Sequence, residues 1–330
     1  MKKKLKIIAL LTVTIISVFC LFGFSTSDGN DEIYLCGFPA GFEVTSRGVT
    51  IIKTTDVVTK DGVYSPSKDK LLVGDRILKI NDVEVNSAED VENGLSAVNE
   101  GEVILTVVRN GEKILKSVTP AKDLNGKMRL GLMLKDGTSG IGTMTFIRKD
   151  GTFMALGHPI CNENGEILEV SAGKIFRCSL FGVNKAQYGK AGELKGIIIG
   201  DEPIGEINSN HEQGIVGKMN SDFDIKNLPL IKIGEGKIGK ATVVTCVDGM
   251  IPKEYDISIV KADNQKSTKN YVVKVTDKEL LAAAGGIVQG MSGSPILQDG
   301  KIVGCLTHVF IGDSARGYGI AIDKMLDAID

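Results

Sequence analysis

Tryptophan is absent from the 330 residues, aromatics make up only 5%, and there are just three histidines and eight prolines. Charge of either sign is not in excess: the net is −2 and the pI is near 6.0, so no global basic field points to nucleic acid. No C-x-x-C occurs, and Cys20, Cys36, Cys161, Cys178, Cys246 and Cys305 are spaced for neither a zinc site nor a small disulfide scaffold. Buried hydrophobic thiols are expected instead. Nothing calls for a metal or an organic cofactor. Glycine, in contrast, is plentiful at 40 residues, which implies many tight turns rather than long helices. With 42% hydrophobic and 24% charged residues the chain can bury a core, and its length allows about two domains. Collagen, coiled coil and multi-span transporter are excluded.

The first segment, residues 1–28, reads as an export device. Met1-Lys2-Lys3-Lys4 is cationic, and Ile7 to Phe24 is apolar apart from scattered Thr and Ser, a length between a long signal segment and a short anchor. Bulky Phe24 makes Ser25-Thr26-Ser27 a poor cleavage site, and Phe19 before Cys20 does not suit lipid attachment. An uncleaved anchor is expected, with its positive end inside and everything after Asp28 outside.

Residues 29–119 read as a small α/β module. A Gly74-Asp75 turn precedes alternating apolar residues from Arg76 to Asn81, a strand signal. Ser87 is placed to cap a helix, with Asp90 as its capping-box partner and Val91, Leu95 and Val98 on one apolar face. Glu102 to Arg109 and Lys113 to Val118 are strands joined by an Asn110-Gly111 type I′ turn. The run from Leu72 to Val85 and the helix after it resemble a PDZ domain. That likeness implies an extended peptide added to a sheet edge, with its carboxylate held by loop N–H groups. Pro39-Ala40-Gly41-Phe42 is the candidate loop, which makes Gly41 and Phe42 candidate peptide-binding residues.

Residues 120–330 read as mainly β. Hairpins are expected around Lys149-Asp150-Gly151 and Gln298-Asp299-Gly300, within a barrel or sandwich and possible as two barrels. Helix signals are confined to about Lys278–Ala283 and Lys324–Ile329.

Gly290-Met291-Ser292-Gly293-Ser294-Pro295 is the sharpest motif. It puts a hydroxyl on a tight bend whose small neighbours let the N–H groups of Gly290 and Ser292 point the same way as Oγ. Acyl transfer needs such a nucleophile beside oxyanion donors. Ser294 is a weaker nucleophile, because the following Pro295 holds it extended. A serine needs a base. His158 stands at a strand-to-loop corner before Pro159; His211 lies in a polar loop; His308, in the run Leu306–Phe310, reads as a core histidine. His158 is therefore the preferred base. For an orienting carboxylate, spacing cannot choose among Asp201, Asp222, Asp224, Asp248, Asp256 and Asp277.

The stretches Val275–Leu280, Gly285–Pro295, Gly140–Phe146, Ala155–His158 and Leu306–Phe310 resemble the SpoIVB peptidase family of sporulation serine peptidases, as does the order anchor, PDZ, peptidase. The resemblance implies a PDZ domain followed by a trypsin-like β-barrel peptidase domain, with Ser292 as nucleophile, His158 as general base and Asp277 as third member. Pro159-Ile160-Cys161-Asn162 departs from the family's pattern after the histidine. It further implies export into the space between the mother-cell and forespore membranes, self-cleavage in trans, and cutting of a membrane-tethered regulator of an intramembrane metalloprotease. That cut would lead to activation of a late mother-cell sigma factor. The competing readings are an HtrA-like envelope quality-control protease and a noncatalytic PDZ scaffold.

Overall fold

The computed structural model describes residues 32–98, 100–162 and 165–329. The expected anchor lies outside them. Among the described residues no helix is long and apolar enough to cross a membrane.

In chain order, the elements that build the molecule begin with strand β1 (Pro39–Thr54), β2 (Arg76–Ile80), helix α1 (Ala88–Ser96), β3 (Val103–Arg109) and β4 (Glu112–Val118). Next come β5 (Leu132–Ile147), β6 (Thr152–Ala155), β7 (Val170–Asn184), β8 (Gly205–His211) and β9 (Gly214–Met219). The last part holds β10 (Gly239–Thr245), β11 (Lys253–Ala262), β12 (Tyr271–Val275), α2 (Lys278–Ala284), β13 (Pro295–Gln298), β14 (Lys301–Phe310), β15 (Asp313–Ala321) and α3 (Ile322–Leu326).

Two barrels result, and all their strand pairs are antiparallel. In the first, β1 pairs with β7, β7 with β8, β8 with β9, β9 with β6, β6 with β5, and β5 returns to β1. This six-stranded ring encloses Phe42, Met144, Phe153, Ile175 and Ile215. In the second, the order is β10, β11, β12, β15, β14, β13 and back to β10. Its core holds Val243, Ile257, Val273, Ile296 and Tyr271. Closure leaves no open edge inside either ring. The Tyr271 hydroxyl is buried but satisfied, donating to the Val303 carbonyl and accepting from the Gly236 N–H, and burial pushes it up to about 12. The mainly β class with a trypsin-like peptidase domain is as expected.

Local signals in the small module appear as expected. Ser87 Oγ accepts from the Asp90 N–H and the Asp90 carboxylate accepts from the Ser87 N–H, a reciprocal cap that satisfies two free helix donors. Val91 and Leu95 face the core, and Asn110 and Gly111 take the left-handed φ values of 52° and 81° that a type I′ turn requires. Asp75 is buried and meets Arg109 in a two-pronged ion pair, with Oδ1 to Nε and Oδ2 to Nη2 both at 2.7 Å.

Two strands serve cores on both sides of the 29–119 and 120–330 division. β1 runs through both cores: Ala40, Phe42 and Val44 pack in the first barrel, whereas Val49 and Ile51 pack in the module. β5 does the same, with Leu132 and Leu134 against the module and Met144 in the barrel. The register of this pair shifts where the cores change, from Lys135 opposite Thr50 to Gly137 opposite Thr45. The module is thus inserted between two adjacent barrel strands. Sequence order hid this, because the long-range pairing of β1 with β5 leaves no local mark.

Candidate active site

The loop that carries Ser292 belongs to the second barrel, yet threonines of the first hold it. Thr143 Oγ1 donates to the Gly290 carbonyl at 2.8 Å, and the Thr143 N–H donates to the Ser292 carbonyl at 3.0 Å. Thr145 Oγ1 donates to the Gly293 carbonyl at 2.8 Å. Both threonines are buried, so these bonds form where water does not compete. Gly293 adopts φ +94°, and a Cβ there would stand 2.1 Å from the Thr143 carbonyl oxygen and 2.6 Å from the Leu156 nitrogen. Only glycine lets the loop come so close to the corner that carries His158.

The same bend carries the expected oxyanion donors. The Gln289 carbonyl accepts from the Leu194 N–H, which turns that carbonyl, and with it the opposite side of the 289–290 peptide, into a fixed orientation. Among the described residues the N–H groups of Gly290 and Ser292 have no acceptor. Both residues line a cavity of about 460 Å³ that His158 also lines. Ser292, His158 and Gly290 therefore line one cavity, and the N–H groups of Gly290 and Ser292 are unspent, the set of groups that acyl transfer requires.

His158 follows Leu156 and Gly157, whose φ values of 69° and 67° make the strand β6 turn sharply. Its Nδ1 lies 2.9 Å from the Pro159 carbonyl oxygen. A carbonyl only accepts, so Nδ1 carries the hydrogen and Nε2 keeps its lone pair, the tautomer of a general base. Burial pushes the imidazole below the usual histidine range, and the Pro159 bond only partly offsets this. His308 stacks on it with ring centroids 4.9 Å apart and planes tilted by 42°. Loss of water from its surroundings, then the charges of His158 and Lys269, push His308 down to about 4. Ser292 Oγ donates to the Thr307 carbonyl at 2.6 Å, so the hydroxyl must rotate towards Nε2 before it can react.

The model of the SpoIVB peptidase S55 family matches residues 126–326, and a PDZ domain matches residues 38–119. The chain belongs to the SpoIVB peptidase family. It is a serine peptidase. A search of curated proteins finds no match. Among solved structures, the active form of the Rv3671c protease from M. tuberculosis is similar at 13% identity over 58% of this chain and 72% of that one, with a TM-score of 0.35. The HtrA-type protease AlgW with a decapeptide is similar at 12% identity over 62% of this chain and 53% of that one, also with a TM-score of 0.35. Both likenesses are too loose to argue from.

Within this SpoIVB-family fold, Ser292, His158 and Gly290 come together, whereas Asp277 does not join them. Asp277 is the N-cap of α2: Oδ1 accepts from the Leu280 N–H at 2.9 Å and Oδ2 from the Asp256 N–H at 3.3 Å. Asp277 is absent from the cavity lining, and the His158 Nδ1 that a triad carboxylate would hold is occupied by Pro159. The structure thus places the expected third member as a helix cap, a role written in its position directly before Lys278–Ala284. Asn caps as well as Asp, so Asp277→Asn is expected to leave kcat/KM within about 3-fold of the parent, with the melting temperature lowered only by loss of the acceptor for the Asp256 N–H. Peptide hydrolysis beside a thermal melt checks this; a triad carboxylate would lose roughly 10⁴-fold instead.

Gly41 and Phe42 are corrected too. They lie inside β1 rather than in a carboxylate-binding loop, with Gly41 opposite Ile141 and Phe176 and Phe42 opposite Gly140 and Ile175. Phe42 packs in the first barrel and lines the catalytic cavity. The module's own groove, of about 510 Å³, lies elsewhere, between Val91 and Leu95 of α1 and Leu132 and Leu134 of β5. His211 sits on β8 and bonds Ser209 Oγ at 2.8 Å. His308, expected in the core, is exposed and in the cleft instead. Its signal was the family-like run from Leu306 to Phe310, and Thr143 and Thr145 had theirs in hydroxyls two apart within an apolar strand.

Ser294 is fully buried and bonds Thr245 Oγ1 at 2.9 Å, which removes it as a rival nucleophile. Of the five described cysteines, Cys36, Cys178, Cys246 and Cys305 are buried, and Cys161 is exposed; all are free thiols.

Proposed function

We propose that Ser292 Oγ attacks a peptide carbonyl while His158 Nε2 takes its proton and later returns it to the leaving amine. The N–H groups of Gly290 and Ser292 would receive the oxyanion, and the Pro159 carbonyl would hold the imidazole in its base-ready tautomer. The observation that carries this reading is the single cavity that Ser292, His158 and two N–H groups without acceptors share. His308 packs on the base as a positioning residue.

The biological role we infer rests on family membership and on the cationic, apolar start of the chain. In this reading the enzyme is exported and anchored by residues 1–28, and works between the mother-cell and forespore membranes. It cleaves itself in trans and cuts a membrane-tethered regulator of an intramembrane metalloprotease, which leads to activation of a late mother-cell sigma factor. Expression of the chain after Asp28, with products mapped by mass spectrometry, tests the self-cleavage: discrete N-terminal products are expected from the parent and none from Ser292→Ala. Broad digestion of unfolded casein would favour envelope quality control instead.

The depressed His158 gives a pH dependence of definite sign. Only the neutral imidazole can accept the serine proton, so activity falls as pH drops through its value in the folded protein. Because burial lowers that value, the acid limb of kcat/KM is expected below the usual histidine value of about 6.5. A pH–rate profile with its acid midpoint at or above 7 would contradict the assignment.

A further inference from the structure

The cavity beside Ser292 has a chemical character that the peptidase activity alone does not dictate. Its walls are mostly hydrocarbon: Phe42 and Leu156 from the first barrel, Ile141 from β5, and Val288, Val309 and Ile311 from the second barrel, with Thr138, Ser139, Gln289 and Thr307 as neutral polar side chains among them. Among the described residues that line it there is no lysine, arginine, aspartate or glutamate, and the only titratable side chains are His158 and His308. Lys269 stands close enough to His308 to perturb it but holds its ammonium over the Tyr318 ring, and Glu193 is bridged to Gln289 through backbone alone. At about 460 Å³ the space exceeds what one small side chain fills.

A peptide carbonyl placed against Ser292 Oγ, with its oxygen towards the Gly290 and Ser292 N–H groups, brings its own side chain to this wall. A charged side chain there would lose water and find no partner. A glycine or alanine would leave the apolar wall uncovered.

We propose that the enzyme selects a large apolar residue, of the leucine or phenylalanine kind, on the acyl side of the bond it cuts. This rests on the reading of Ser292 as the nucleophile. It also bears on the natural substrate, whose cleaved segment must offer such a residue in an extended, accessible stretch.

Diphenyl phosphonates carrying a leucyl, phenylalanyl, alanyl, lysyl or glutamyl side chain test the selection, with a general fluorophosphonate as the control for an active serine. On the full chain, the leucyl or phenylalanyl reagent is expected to label Ser292 roughly 100-fold faster than the lysyl or glutamyl one. Gln289→Glu, which swaps an amide for a carboxylate at the cavity rim with little change in shape, should raise the lysyl-to-leucyl labelling ratio by about 5-fold. Equal or faster labelling by the charged or alanyl reagents, or an unmoved ratio in the variant, overturns the selectivity. If the fluorophosphonate still labels Ser292, the nucleophile assignment survives that result. Failure of every reagent to label Ser292 overturns both.

Discussion

Ser292→Ala is expected to lower kcat by roughly 10⁵-fold while the protein still folds. The reason lies in what the hydroxyl does at rest. It donates one bond to the Thr307 carbonyl, and loss of such a bond costs about 1 kcal/mol of stability. The loop itself is held by Thr143 and Thr145 through backbone carbonyls, which alanine keeps. Catalysis and stability should therefore separate cleanly. Hydrolysis of a peptide substrate, measured beside a thermal melt, reads both. Turnover within 10-fold of the parent would mean that another group is the nucleophile, and Ser294 is too deeply buried to be that group.

Gly293→Ala is expected to damage both properties at once. The new methyl would need to occupy space within 2.1 Å of the Thr143 carbonyl oxygen, at a backbone φ of +94° that L-residues rarely adopt. Neither obstacle is a flexible side chain; both the Thr143 carbonyl and the Leu156 nitrogen belong to backbone of the first barrel. Left-handed strain and overpacking together should cost about 2–5 kcal/mol. If the loop moves away to relieve the clash, Ser292 retreats from the His158 corner, and a displacement of about 1 Å lowers the rate on the order of 100-fold. Chemical denaturation and kcat/KM on the same preparation test this. A variant that melts with the parent and turns over normally would show that the two barrels do not meet as tightly as Gly293 implies.

What could be read from the residues alone follows the range of the interactions concerned. Ser87 with Asp90 and Asn110 with Gly111 are local devices set by neighbours in sequence, whereas the bend from Gly290 to Pro295 announces itself by its small residues although distant Thr143 and Thr145 hold it. His158 was within reach because a base had to be chosen from three histidines. The orienting group was not, because a backbone carbonyl such as that of Pro159 can serve wherever the chain turns correctly, and no residue type announces it. Asp277 illustrates the converse. Family likeness offered it a chemical role, although its place one residue before a helix already described a cap. Gly41 and Phe42 were misplaced for a topological reason, since nothing near them tells that β5 will pair alongside.

That pairing has a further consequence. Thr45 and Gly137 face each other as the last rung of the first barrel before the PDZ-like module begins, so the module's two ends enter and leave side by side. Joined by a short turn, those ends would form an ordinary hairpin of the barrel. The PDZ module is a graft on a hairpin tip, which a lineage can acquire, exchange or shed as one piece without rerouting any other strand of the protease.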